Sequence, residues 1–141
     1  MRHERRLAGR CWRRGWAANA QEASGRLDLG ERQAGDPPLY FAFHVFVCTN
    51  RRPDGHARGS CAAKNSEQLR DYMKARAKEL GLPHVRINSA GCLDRCECGP
   101  CVIVYPEGIW YRVATREDVD AVLERHLAGG GRAENLMLPA A

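Results

Sequence analysis

A strand, a helix and a second strand follow one another between residues 39 and 88, and this order constrains the fold more than any other feature. Residues 39 to 48 are rich in aromatic and β-branched side chains, as in a strand buried on both faces of a sheet. Residues 66 to 80 carry apolar side chains at helical spacing and end at Gly81. Residues 85 to 88 alternate like a second strand. Since such a crossover is almost always right-handed, both strands should be parallel and end at one edge of the sheet.

The remaining elements complete a small α/β pattern. Residues 102 to 105 and 109 to 113 flank a Pro-Glu-Gly turn and predict a β-hairpin. A final helix is predicted over residues 115 to 128, where Thr115 and Asp118 resemble a capping box. The chain should therefore fold into a small mixed four-stranded sheet with two main helices.

The domain organisation follows from a change of composition near residue 38. Residues 1 to 38 mix Arg, Gly and Ala without a period and end in two prolines, which predicts a disordered N-terminal extension. Residues 39 to 136 form the predicted domain, and residues 137 to 141 a loose tail. A length of 141 residues suits one domain of this kind with spare chain.

Several locations and partners are disfavoured. The longest apolar run is about ten residues, half of what a membrane-spanning helix needs, and no continuous apolar stretch forms a secretory signal. We therefore expect a cytoplasmic protein without a membrane span. The formal net charge of +5 is not gathered into a basic stripe with interleaved aromatic residues, so we expect no nucleic-acid partner.

Seven cysteines in a reducing compartment indicate metal or redox chemistry rather than a disulfide framework. Four of them lie in predicted loops, separated by 12, 30 and 3 residues: Cys48, Cys61, Cys92 and Cys96. Because the two loop regions leave the same sheet edge, we expect these thiolates to converge. Four thiolates suit either a tetrahedral zinc ion or a 2Fe-2S cluster with two thiolates on each iron.

Two long motifs make the sequence recognisable. HVFVCTNRRPDGHARGSCAAKNS at 44 to 66 and SAGCLDRCECGPCVIVYPEGIWY at 89 to 111 resemble the thioredoxin-like 2Fe-2S ferredoxins. The resemblance implies a thioredoxin-like fold and a homodimer. It also implies one 2Fe-2S cluster bound by four cysteines, with Cys48 and Cys61 on one iron and Cys92 and Cys96 on the other.

This resemblance implies a one-electron carrier rather than an enzyme, with a reductase and an electron acceptor as redox partners. The 12-residue gap between the first two cysteines favours the small stand-alone carrier over the related subunit of larger dehydrogenases, in which that gap is much shorter. A redox or iron-sulfur sensing module remains an alternative, although the remaining length leaves no room for a second effector domain.

A zinc or dithiol protein that uses Cys98 and Cys101 is a further alternative. These residues form the tetrapeptide CGPC, which is also the active-site sequence of thioredoxins. In a thioredoxin site the tetrapeptide opens a helix whose N-terminus stabilises the thiolate, whereas here it precedes a predicted strand. The two cysteines depart from the ferredoxin pattern, and we expect that either could substitute for a neighbouring ligand.

Overall fold

The computed structural model describes residues 32 to 139, and within that range Phe41–Leu138 form one compact unit. Residues 1 to 31, the larger part of the predicted extension, lie outside the described residues. In the separate short segment before the compact unit, the backbone N–H of Gln33 donates to Asp36 Oδ2 at 2.7 Å. None of the helices between residues 32 and 139 has the length and hydropathy required to cross a bilayer.

The strands form the expected mixed four-stranded sheet. Their bounds are β1 Phe43–Cys48, β2 Val85–Ala90, β3 Cys101–Tyr105 and β4 Ile109–Arg112. The spatial order is β2-β1-β3-β4. The β1 strand pairs with β2 in parallel and with β3 in antiparallel register, and β4 pairs antiparallel with β3. The sequence prediction of an α/β fold with this mixed sheet is confirmed.

Two main helices accompany the sheet. The first, α1, spans Ser66–Glu79, and the second, α2, spans Arg116–Val122 and continues as a π-helix over Leu123–Ala128. The predicted capping box is present, because Thr115 Oγ1 accepts a hydrogen bond from the Asp118 N–H at 3.2 Å and Asp118 Oδ2 accepts from the Thr115 N–H at 3.1 Å. These bonds satisfy amide groups that would otherwise lack partners at the start of α2.

The hydrophobic core lies between the sheet and the helices, on one face of the sheet. Val45 and Val47 of β1 face it and pack in one cluster with residues of both helices, including Met73 and Val119. On the opposite face of β1, the stacked rings of His44 and Phe46 are only half-buried. The expectation of a strand buried on both faces is therefore wrong for this part of β1, because the helices cover a single face.

The first strand also begins later than residue 39. Leu39 and Tyr40 are 51% and 86% exposed. Backbone pairing starts where the Ala42 and Phe43 N–H groups donate to His84 O, directly before β2 begins. The ladder between β1 and β2 begins only at Phe43 and Val85. The aromatic and apolar character of residues 39 to 41 alone therefore does not make them part of the sheet.

A buried histidine in the π-helical segment should make the stability of the fold pH-dependent. His126 is fully buried, and its Nδ1 lies 2.8 Å from the Tyr111 hydroxyl oxygen. Burial first, and then the charge of Arg132, lower the pKa of His126, while Glu107 opposes them. As the pH falls through about 6.5, the unfolded chain binds a proton at this position before the folded one does. The free energy of unfolding should therefore decrease over that range.

Urea unfolding of the wild type and His126→Gln between pH 7.5 and 5.5 measures this effect. We expect the loss of stability on acidification to be smaller in His126→Gln than in the wild type. His56→Gln, at an exposed loop position, serves as the control for the replacement of a histidine outside the core. If the free energy of unfolding changed equally with pH in the wild type and in His126→Gln, His126 would not be the source of the pH dependence.

Candidate metal centre

The site lies where the two parallel strands end. Cys48 is the last residue of β1 and pairs with Ala90, the last residue of β2. The loop after β1 is fixed to this edge, because Thr49 donates from its backbone N–H to Ala90 O at 3.0 Å. Further along, the Ala62 N–H donates to Asn50 O at 3.1 Å and closes the same loop. The topology thus directs both cysteine-bearing loops to one edge, as the crossover argument predicts.

All four candidate thiols converge at this edge. The Sγ atoms of Cys48, Cys61 and Cys96 lie within 4.8 Å of one another, and Cys92 Sγ lies 3.3 Å from Cys96 Sγ. Cys48, Cys61 and Cys96 are completely buried, whereas Cys92 is exposed. Thiolates that meet in this way form a donor set suited to iron or zinc.

Backbone amides point at the sulfurs from both loops. Cys48 receives hydrogen bonds from the backbone of Asn50 and Leu93, which lie on different loops. The Asp94 N–H donates to Cys92 Sγ at 3.3 Å. Such bonds stabilise thiolate charge, and they are a usual means by which a protein adjusts the reduction potential of an iron-sulfur centre.

The pKa values of the metal-free thiols separate the exposed cysteine from the buried ones. Burial is the largest cause that raises the pKa of Cys48, and it raises the pKa of Cys96 to about 11. The pKa of Cys61 is raised mainly by its side-chain hydrogen bond with Cys101, followed by burial. At Cys92 the smaller burial also acts to raise the pKa, but the Asp94 amide, Cys96 and Arg52 outweigh it, so that the pKa is lowered.

Charged side chains tie the two loops together rather than standing free. Arg58 Nε donates to Glu97 Oε1 at 2.6 Å, and Arg58 Nη2 donates to Asp94 Oδ1 at 2.9 Å. Lys64 Nζ donates to Cys96 O at 3.2 Å. These bonds connect the loop that carries Cys61 to the loop that carries Cys92 and Cys96. Part of the charge around the site therefore holds the loops in place.

A close approach of backbone to sulfur occurs at Gly99. A methyl group at this position would lie 2.6 Å from Cys61 Sγ and 3.2 Å from Cys96 O. Any larger residue would collide with the thiol group of Cys61 or with the peptide group of Cys96. Gly99 is therefore required by space rather than by an unusual backbone angle.

One contact at the site was not anticipated from the sequence, and the structure also locates the cysteine that departs from the ferredoxin pattern. Arg52 Nη2 donates to Cys92 Sγ at 3.2 Å, although forty positions separate the two residues. Cys101 joins the buried group formed by Cys48, Cys61 and Cys96. The paired arginines of the first loop and the departure of Cys101 from the ferredoxin pattern were the only local signals. As expected, the CGPC tetrapeptide precedes a strand, since Cys101 begins β3.

The fold and the converging thiols define a thioredoxin-like domain with a metal or iron-sulfur centre at one sheet edge. A crystal structure of the wild-type thioredoxin-like [2Fe-2S] ferredoxin from Aquifex aeolicus matches with a TM-score of 0.64 and 38% identity, over 72% of this chain and 100% of that one. No protein-family model matches the chain.

Curated relatives agree with this similarity. The chain is 41% identical to a 2Fe-2S ferredoxin of Aquifex aeolicus over 98 residues, which are 67% of this chain and 87% of the relative. It is 36% identical to a 2Fe-2S ferredoxin of Clostridium pasteurianum over 96 residues, 67% of this chain and 94% of the relative. The chain belongs to the thioredoxin-like 2Fe-2S ferredoxins, and the resemblance seen in its motifs is confirmed.

Proposed function

We propose that this chain is a one-electron carrier whose single 2Fe-2S cluster is held by Cys48, Cys61, Cys92 and Cys96. The convergence of these four thiols at one sheet edge is the observation that carries the proposal. The donor set fits the cluster, because it offers four sulfurs, backbone amides directed at them and an apolar lining that includes Leu93. Its family makes the protein an electron-transfer protein rather than an enzyme.

When bound, the cluster supplies a centre that accepts and returns a single electron. The residues of the chain set the conditions for that exchange. Burial of Cys48, Cys61 and Cys96 disfavours added negative charge. The amides and Arg52 favour it, since they place positive dipoles and a positive charge beside the sulfurs.

Anaerobic purification followed by iron and sulfide analysis tests the proposal. We expect about two irons and two sulfides per chain, visible absorption bands, and reversible reduction by one electron. A colourless protein that contains zinc instead would favour the zinc alternative. A thiol-disulfide exchange activity that depends on Cys98 and Cys101, without a cluster, would favour the dithiol alternative.

The same proposal includes the setting in which the carrier works. A reductase and an electron acceptor are its partners, and the carrier works in the cytoplasm, where cysteines stay reduced and available to bind a cluster. A homodimer is supported by large apolar side chains left exposed, since Tyr105 and Met137 are 44% and 39% accessible. Sedimentation of the holoprotein tests the dimer, and a monomer at micromolar concentration would contradict it.

We also place the cluster-binding domain at residues 39 to 136, with an extension before it and a short tail after it. The compact unit Phe41–Leu138 supports approximately these limits. Limited proteolysis of the holoprotein with mass spectrometry tests them. Cleavage should be confined to the two ends, and rapid cleavage between residues 39 and 136 would contradict the assignment.

Arg52 should raise the reduction potential of the cluster. Its Nη1 donates to Gly59 O at 2.9 Å, which fixes the guanidinium so that Nη2 reaches Cys92 Sγ at 3.2 Å. Hydrogen bonds to Cys96 and then Cys92 raise the pKa of Arg52, so the group stays charged. Because this charge stabilises the more negative reduced state, Arg52→Gln should lower the potential on the order of tens of millivolts.

Arg51→Gln is the matched control for this measurement. It removes the same charge from the neighbouring residue, which is exposed and makes no hydrogen bond to the sulfurs of the described cysteines. Protein-film voltammetry of the three proteins should show a clearly smaller shift for Arg51→Gln. Equal shifts for both variants would mean that only the overall charge matters.

A further inference from the structure

We infer that Cys101 is a reserve ligand, whose thiolate binds the iron in place of Cys61 when that residue is lost. The inference rests on the proposed function, since it concerns the same cluster. It is carried by a fifth thiol, which is buried, in a site that needs four. Cys101 is 1% exposed and packs in one group with Cys48, Cys61 and Cys96.

Strand register sets Cys101 beside the first pair of proposed ligands. Val47 pairs with Val102 in the antiparallel β1–β3 ladder, so the next position of this register sets Cys101 opposite Cys48. Residues directly opposite in such a ladder have Cβ atoms about 5 Å apart and point to the same face. Cys101 therefore faces the end of β1 at which the thiols converge.

Cys101 also contacts Cys61 itself. Both the backbone and the side chain of Cys101 form hydrogen bonds with the Cys61 thiol. A sulfur in contact with Cys61 Sγ needs only a small displacement to reach the same coordination position. Cys101 also lies opposite Cys48, the proposed second ligand of the iron that Cys61 binds. After replacement of Cys61 by Cys101, the two thiolates of that iron would therefore come from the neighbouring strands β1 and β3.

In the intact protein the Cys101 thiol also has a partner outside the proposed ligand set. Its S–H group donates to Arg95 O at 2.9 Å, and Cys101 is not part of the tighter group in which Cys48, Cys61 and Cys96 lie within 4.8 Å. Cys101 is therefore the reserve and Cys61 the ordinary ligand. In the exchange, Cys101 gives its thiol proton to solvent, and its thiolate forms the iron–sulfur bond that Cys61 no longer makes. No electron is transferred.

Cys98 provides a matched control three residues away. It is also a buried cysteine, but it is not a member of the buried thiol group formed within the described residues. The test compares Cys61→Ala, Cys61→Ala/Cys101→Ala, Cys61→Ala/Cys98→Ala and Cys101→Ala with the wild type. Each full-length protein is reconstituted anaerobically with iron and sulfide, and iron content, visible circular dichroism and the EPR spectrum of the reduced protein are measured.

We expect Cys61→Ala to keep at least roughly half of the wild-type iron, with an altered visible circular dichroism spectrum because a different residue binds. Cys61→Ala/Cys98→Ala should behave in the same way. Cys61→Ala/Cys101→Ala should retain about one tenth of the wild-type iron or less. Cys101→Ala alone should match the wild type, which would show that Cys101 is not the ordinary ligand.

Three results would overturn the inference. The first is loss of the cluster from Cys61→Ala, and the second is equal iron in Cys61→Ala and its Cys101→Ala derivative. The third is loss of the cluster from Cys101→Ala alone, which would make Cys101 an ordinary ligand. Cys61→Ala/Cys101→Val, which refills the space at β3, excludes a packing defect as the cause of iron loss. Failure of the wild type itself to bind iron and sulfide would instead overturn the proposed function.

Discussion

Replacing Cys96 with alanine is expected to abolish cluster binding, with iron falling from about two atoms per chain to about one tenth of that value or less. Cys96 is completely buried, and its Sγ is the contact between Cys92, 3.3 Å away, and the group that contains Cys48 and Cys61. Without Cys96, the loop between β2 and β3 would supply only one of its two proposed ligands, Cys92. Iron and sulfide analysis and visible absorption of anaerobically reconstituted protein measure the loss.

Cys98→Ala is the control, since it removes a buried cysteine side chain two residues away from Cys96 and should leave the iron content close to that of the wild type. Far-ultraviolet circular dichroism of both variants shows whether the fold persists. If Cys96→Ala retained more than roughly half of the wild-type iron, the ligand set proposed for this protein would be wrong.

The second large effect is expected from Gly99→Ala. The added methyl group would lie 2.6 Å from Cys61 Sγ and 3.2 Å from Cys96 O, closer than ordinary van der Waals contact allows. The collision displaces either a thiol or the loop that carries Cys96, so we expect cluster occupancy to fall several-fold and iron release to a chelator to accelerate by about tenfold.

Gly91→Ala is a matched control within the same loop, because an added methyl group there meets no atom within 4 Å. It changes the same residue type directly before Cys92 and should leave occupancy and release rate near the wild-type values. Similar losses in both variants would indicate that loop flexibility, and not the space beside Cys61, limits cluster binding.

The secondary structure could be predicted from sequence patterns, because the residues that specify each helix or strand lie close together in the sequence. Thr115 and Asp118 specify the start of α2 through bonds between residues three positions apart. The crossover from β1 through α1 to β2 has a preferred hand, and that preference predicted where the cysteine loops converge. The position of Cys48 and of Cys92 at one sheet edge therefore follows from the order of elements.

Contacts between distant segments were beyond local patterns. Nothing near Leu39 in the sequence indicates that β2 begins only at Val85, so the start of β1 was placed too early. The contact of Arg52 with Cys92 and the role of Arg58 as a bridge depend on how two loops fold against each other. Long polar side chains on loops have many possible partners, and only the assembled fold selects among them.

The uneven exposure of the thiols affects how the carrier exchanges electrons with the proteins that dock to it. Cys92 reaches the surface, whereas the other three proposed ligands are enclosed. Electron tunnelling weakens steeply with distance, so a docked protein exchanges electrons fastest through the Cys92 side. We therefore expect donor and acceptor to use the same patch in turn, so that an excess of either should slow the overall electron transfer by occupying it.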